Sequence, residues 1–277
     1  MEFGGHHFAI IILVKVFVIL LVIIIVGAGL FFVFKGKTGI QNNSSSTSFV
    51  NWNFDYNTKT WQASGNPPAC PDPLVISSPV DVGLASGILY PGQLRGNDYK
   101  PHGGFRFDTR DTNDVELRAI MDGYIIKASK YLESGEPQVA IFYINDCGLM
   151  VMHDHLLTLS PKLEKAFENI PLGAEGDSRT TFLEPRVFIE KGEVLATEIG
   201  HKNFEGRKNI FVDFGLYDLR KTNGVNYDAA FRANNPNIGE YGVHALCWFD
   251  YLNELDESFA RVLPAGGNEG KISDYCN

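Results

Sequence analysis

The chain of 277 residues is 44% hydrophobic and carries 24 basic against 33 acidic side chains, a formal net charge of −9. That length holds one large or two small domains, and that apolar content is ample for a packed core, which excludes a disordered chain. The acidic balance excludes a general electrostatic attraction to nucleic acid or anionic lipid. It sharpens beyond residue 37: without the three basic and one acidic residues before that point, 21 basic face 32 acidic residues, net −11.

Residues 1–37 read as an N-terminal tail and transmembrane anchor. From Phe8 to Phe34 the chain is apolar except for Lys15, and Val16 to Phe34 is uninterrupted for 19 residues, close to the ~20 a helix needs to cross a bilayer. The run is longer than the roughly 7 to 15 residues of a cleavable signal core, so an uncleaved signal-anchor is expected despite Gly27-Ala28-Gly29. His6 and His7 read as an ordinary polar tail. Lys35 and Lys37 follow the span while only Lys15 marks its start, so charge alone favours the opposite orientation. Four cysteines, Cys70, Cys147, Cys247 and Cys276, argue instead for an oxidising compartment, hence a single-pass protein with its soluble part extracytoplasmic.

Residues 38–73 read as a tether and strap. GIQNNSSSTS has nothing to bury; Trp52, Phe54, Tyr56 and Trp61 follow as an aromatic row read as packing, and the prolines of NPPACPDP forbid regular helix or central strand. Residues 74–220 read as short strands and tight turns. Hairpins are expected at Asp122-Gly123, around Asn145 to Gly148 and at Lys191-Gly192, and KNIFVDFGLYDLR alternates as a strand. PKLEKAFENI alone has helical spacing, at Leu163, Phe167 and Ile170. Residues 221–277 read as a short α/β extension, with a strand and a helix in HALCWFDYLNELDESFARVLP. Cys247 and Cys276 bracket it and are candidate partners, although four cysteines allow three connectivities.

In PHGGFRFD, Pro101 to Asp108, a histidine followed four residues later by a carboxylate would offer two zinc ligands. The residue there is Arg106, whose guanidinium has no lone pair to give. Together with SPVDVG, HGGFR, AIMDG, HDHLL, VFIEKGEVL and FVDFGL in that order, this stretch resembles the lysostaphin-like zinc metallopeptidases, over roughly Val75 to Arg220. The resemblance implies a mainly β fold, a small antiparallel sheet or sandwich, and in active members cleavage of peptidoglycan peptides. It places His102 at the first metal position, Arg106 at the second, where the family has aspartate, and Asp213 at the third, where it has histidine. The two catalytic histidine positions fall on His155, which is kept, and Phe211, which cannot act on water. The resemblance therefore implies a pseudoenzyme without cofactor, in which Arg106 and Asp213 pair across the old metal seat. Its groove would bind cell-envelope polymer or present a surface to a protein partner.

An alternative stays open. His153 and His155 flank Asp154 on an alternating strand and should face one side; with His102 and Asp213 they form a rebuilt zinc ligand set, which would make the protein an active metallopeptidase. GAEGDSRTT, Gly173 to Thr181, lacks the strand, lysine and helix of a phosphate loop and reads as a surface loop rimming the groove, with Arg179 available for a carboxylate or glycan. No G-x-S-x-G elbow is present and no cysteine has the context of a nucleophile, so serine or cysteine hydrolysis is not expected.

Overall fold

A computed structural model of the chain describes residues 49–96, 98–235, 238 and 240–276. Residues 49–277 form one compact unit, so the expected strap, β-domain and extension share a core. The expected transmembrane, signal-anchored organisation needs correction. Among the described residues no helix is long and apolar enough to cross a membrane. The apolar run 8–34 and the tether up to residue 48 lie outside the described residues, and neither a membrane partner nor an extracytoplasmic placement through an anchor follows.

The fold is mainly β, as alternation along the chain predicts. Its strands are β1 Trp52–Asp55, β2 Thr60–Ala63, β3 Gly87–Leu89, β4 Gln93–Arg95, β5 Asp98–Lys100, β6 Gly103–Arg106, β7 Leu117–Arg118 and β8 Gly123–Glu133. There follow β9 Glu136–Ile144, β10 Leu149–Leu159, β11 Leu172–Glu175, β12 Thr181–Ile189, β13 Val194–Ile199, β14 His201–Phe204, β15 Arg207–Asn209 and β16 Phe211–Asp218. Ten of them form one sheet whose spine runs β11-β8-β9-β10-β16-β6-β3, with β12 on β8 and β13 joining β10 to β7. All pairings are antiparallel except β11 on β8, so the sheet is mixed at one edge.

The sheet turns a corner within β10. Its first half, up to Asp154, pairs with β16, and from Leu156 it pairs with β13. Between His153 and Leu156 it carries one residue more than β9 opposite, with His155 at φ 65°. This is a bulge, which bends a strand and re-aims the side chains beyond it. Val212, Phe214 and Leu216 of β16 point into the main core with Leu195, Leu163, Phe167, Trp248 and Phe249, while Asp213 and Tyr217 point to the opposite face. There part of the aromatic row packs as expected: Trp52 and Trp61 lie against a second cluster around Met150 and Tyr217, as the β1-β2 hairpin rather than an irregular strap, whereas Tyr56 is 67% exposed.

Helix α1, Pro161–Ala166, stands where PKLEKAFENI predicts it, with Leu163, Phe167 and Ile170 buried. The extension holds α2, Ala229–Asn234, two 3-10 turns at Gly242–His244 and Trp248–Tyr251, and α3, Glu254–Val262. The strand expected there is absent among the described residues and is replaced by single bridges, Ala245 to Tyr217 and Ala265 to the edge strand at Ile88. Cys70 bonds Cys147 and Cys247 bonds Cys276, the second being the pairing that the bracketing suggested.

Candidate functional site

On the face of the sheet opposite the main core lies a groove of about 890 Å³, floored by β8, β9, β10 and β16 and walled by residues 98–102, 176–180 and 240–241. The bulge at His155 aims its ring into this groove, where it meets two other side chains, from β16 and from the segment before β6. His102, just before β6, brings Nε2 to 2.9 Å from Asp213 Oδ2, and His155 brings its Nε2 to 3.6 Å from the same oxygen. On its other side His155 faces Glu133, with Nδ1 3.4 Å from Oε2. Asp154 holds the bulge, its Oδ1 accepting from the His155 backbone N–H at 2.7 Å and from Tyr131 Oη at 2.7 Å.

Burial opposes ionisation of Asp213, but the imidazoles of His102 and His155 and the guanidinium of Arg95 outweigh it and hold the carboxyl well below the usual range. Arg95 is fixed behind His102, donating to Tyr90 O at 2.7 Å and His102 O at 3.1 Å. Burial pushes the Glu133 carboxyl up; His155 pulls it back, while Asp154 and Asp213 add to the rise. Deeper in the groove Lys127 lies 4.6 Å from the Phe142 ring and 4.7 Å from that of Tyr241. Burial lowers its pKa against the pull of Glu240.

The expected pairing of Arg106 with Asp213 does not form. The register sets Arg106 opposite Phe211 and Asp213 opposite Gly104, so the two charges are a diagonal step apart. Arg106 turns away, donating to Asp108 from Nε at 2.9 Å and to Asn209 at 2.9 Å. The side chain that meets Asp213 is His102, with Arg95 behind it. His153 also departs from expectation. The bulge breaks the alternation between His153 and His155, and His153 is fully buried on the core side, its ring stacked 5.4 Å from Phe214. It cannot join His102, His155 and Asp213 in the alternative ligand set. Phe211 lies against the His155 ring at 4.3 Å and the His201 ring at 5.7 Å. Arg179 rims the groove as expected, its side chain 89% exposed and paired with Asp177.

Two residues of the site escape a reading of the sequence. His201 opens β14 and is 1% exposed, with Nε2 4.0 Å from Glu133 Oε2. Donor atoms of Glu133, His155 and His201 lie within 4.8 Å of one another. GHKN has no spacing that marks a ligand, and Glu133 sits beside a turn where acids are ordinary, so only the fold brings the three together. No family model, no curated protein and no solved structure matches the chain.

Proposed function

We propose that the groove binds an extended, amine-bearing peptide of the kind that cross-links a cell-envelope polymer, on a lysostaphin-like frame whose zinc seat is not assembled. One observation carries the reading: His102, His155 and Asp213, far apart in sequence, meet at one carboxylate oxygen at 2.9 and 3.6 Å, while Arg106 and Phe211 stand where a second ligand and a catalytic histidine would be needed. With Asp213 held by His102 at 2.9 Å, a metal at that seat would have to displace this contact. Asp98, Glu133, Asp154, Asp213 and Glu240 outnumber Lys100, Lys127 and Arg179 along the groove, which favours a ligand bearing amino groups.

The test is co-sedimentation of the full chain with insoluble peptidoglycan at low and moderate salt. Saturable binding is expected, weakened about tenfold by Asp98→Ala with Glu240→Gln. Absence of binding at every salt concentration would reject the ligand class. Release of cross-link peptides, abolished by His155→Ala, would reject the non-catalytic reading.

A further inference from the structure

Buried polar atoms are almost always hydrogen-bonded, and those that are not call for an explanation. In this fold two such atoms belong to neighbouring histidines: Nδ1 of His155 and Nε2 of His201 are both buried without a hydrogen-bond partner. They are not scattered. Both face one carboxylate oxygen, Oε2 of Glu133, at 3.4 and 4.0 Å, and their residues are 9% and 1% exposed.

We infer that Glu133, His155 and His201 form a binding site for a divalent transition metal, zinc by the chemistry of its donors. Two imidazoles and one carboxylate suit zinc, whereas calcium and magnesium require mostly oxygen ligands. Zinc holds such donors at about 2.0 to 2.2 Å, which sets neighbouring donors about 3.4 Å apart in a tetrahedron. The separation between His155 and Glu133 is already of that size; that between His201 and Glu133 is 4.0 Å, and all three donors lie within 4.8 Å, so binding requires them to draw together by about 1 Å.

Each ligand sits on a fixed piece of backbone. Glu133 lies directly opposite Glu136 at the end of the β8-β9 pair. His155 is held at its bulge by Asp154, and its carbonyl accepts from Gly200 N at 2.7 Å. Gly200, at φ 78°, precedes His201, and a Cβ there would come within 2.5 Å of Asn209 O. The strand of His155 and the strand of His201 are thus locked together by one hydrogen bond between adjacent residues. The far side of each ring is supported as well. A metal on Nδ1 of His155 puts the ring proton on Nε2, which faces Asp213 Oδ2 at 3.6 Å. A metal on Nε2 of His201 leaves the proton on Nδ1, which faces Glu136 Oε2 at 3.9 Å. Histidines on metals are regularly oriented by such carboxylates.

Three protein donors leave a fourth position, and because Glu133 and His155 line the groove it opens toward whatever lies there. This centre does not use His102, so it is not the seat that the lysostaphin-like resemblance implies, and it stands whether or not the groove takes peptidoglycan.

The full chain, stripped with chelator and dialysed, is titrated with cobalt(II) while visible absorption is followed, and then with zinc(II) by calorimetry. One equivalent of each is expected, with the intense visible bands of a tetrahedral cobalt site, displaced by zinc, and a melting temperature raised by zinc. Glu133→Gln and His201→Gln should each weaken zinc by about 100-fold or more, and His102→Gln by no more than a few-fold. If His201→Gln fails to fold, Glu133→Gln, an isosteric change of a half-buried group, decides alone. No binding at 100-fold excess of metal over protein, binding indifferent to Glu133→Gln, or binding lost in His102→Gln would each overturn the assignment.

Discussion

His153 and His155 are two residues apart and have opposite environments because one bulge lies between them. His153 is sealed in the core, with Nδ1 3.4 Å from Asp213 O and Nε2 without a partner, and burial pulls its pKa down to about 3. A folded pKa below the unfolded value of about 6.5 means the unfolded chain takes up a proton first as pH falls. The stability is complete above about pH 6.5 and drains away toward pH 3. Between pH 7 and pH 4 the loss should be about 3 kcal/mol, and His153→Phe should flatten that limb of the pH profile, read from urea midpoints at the two pH values. Equal acid sensitivity in wild type and variant would show that His153 does not carry the effect. Asp213 offers a second check. With Arg106 bound to Asp108 and Asn209, Arg106→Ala and Asp213→Ala should be additive within about 0.5 kcal/mol, whereas His102→Ala and Asp213→Ala should show coupling of about 1 to 3 kcal/mol. Coupling of the same size in both double-mutant cycles would contradict the register.

Turn chemistry separates what the sequence makes visible from what it hides. Alternation marks β8, β10 and β16, and Asn145 to Gly148 does join β9 to β10, its Asn145 side chain accepting from Leu149 N at 2.9 Å. Asp122-Gly123 is no hairpin: β7 before it pairs with β13, not β8. Its glycine serves close approach, since a Cβ would come within 2.8 Å of Ile144 O. At Lys191-Gly192 the chain does turn, but β12 and β13 diverge to different neighbours. The two-residue loop of the sheet is Ser134-Gly135, both with positive φ, between the opposed residues Glu133 and Glu136. Local preference names the residues that can turn; which runs then pair depends on contacts a hundred residues away. The same limit hides the bulge, because HDHLL alternates in sequence and only pairing to three strands breaks it. Glycines test this distinction. Gly135→Ala, at φ 74° with nothing near its Cβ, should cost about 1 kcal/mol from the backbone alone. Gly104→Ala would put a Cβ 2.2 Å from Val212 O, prising β6 from β16, and should cost several times more in denaturant titrations. Similar costs at the two sites would mean that β6 and β16 are not in close contact.

At the scale of the whole molecule, the two disulfides do different work because they close different loops and tie down different parts of the fold. Cys70 and Cys147 are 77 residues apart and Cys247 and Cys276 are 29 apart. On the chain-entropy account these loops stabilise by about 4.5 and 3.6 kcal/mol. The longer loop fastens the segment before the sheet to the β9-β10 turn, away from His102. The shorter one fastens the tail, and the tail holds the wall that carries His102: Tyr275 Oη donates to Pro101 O at 2.7 Å, and Gln93 Nε2 donates to Gly270 O at 2.9 Å and Ile272 O at 2.6 Å. Gly92 leaves room for the Tyr275 ring, which a Cβ would meet at 2.5 Å. Global stability and groove geometry should therefore respond in opposite order. Cys70→Ser with Cys147→Ser should lower the urea midpoint more, yet leave the His102 and His155 ring signals in NMR spectra in place. Cys247→Ser with Cys276→Ser should cost slightly less stability but shift the His102 signals, because the tail no longer pins Pro101. If removal of the shorter bridge left His102 undisturbed, the tail would be packing on the domain without shaping the groove.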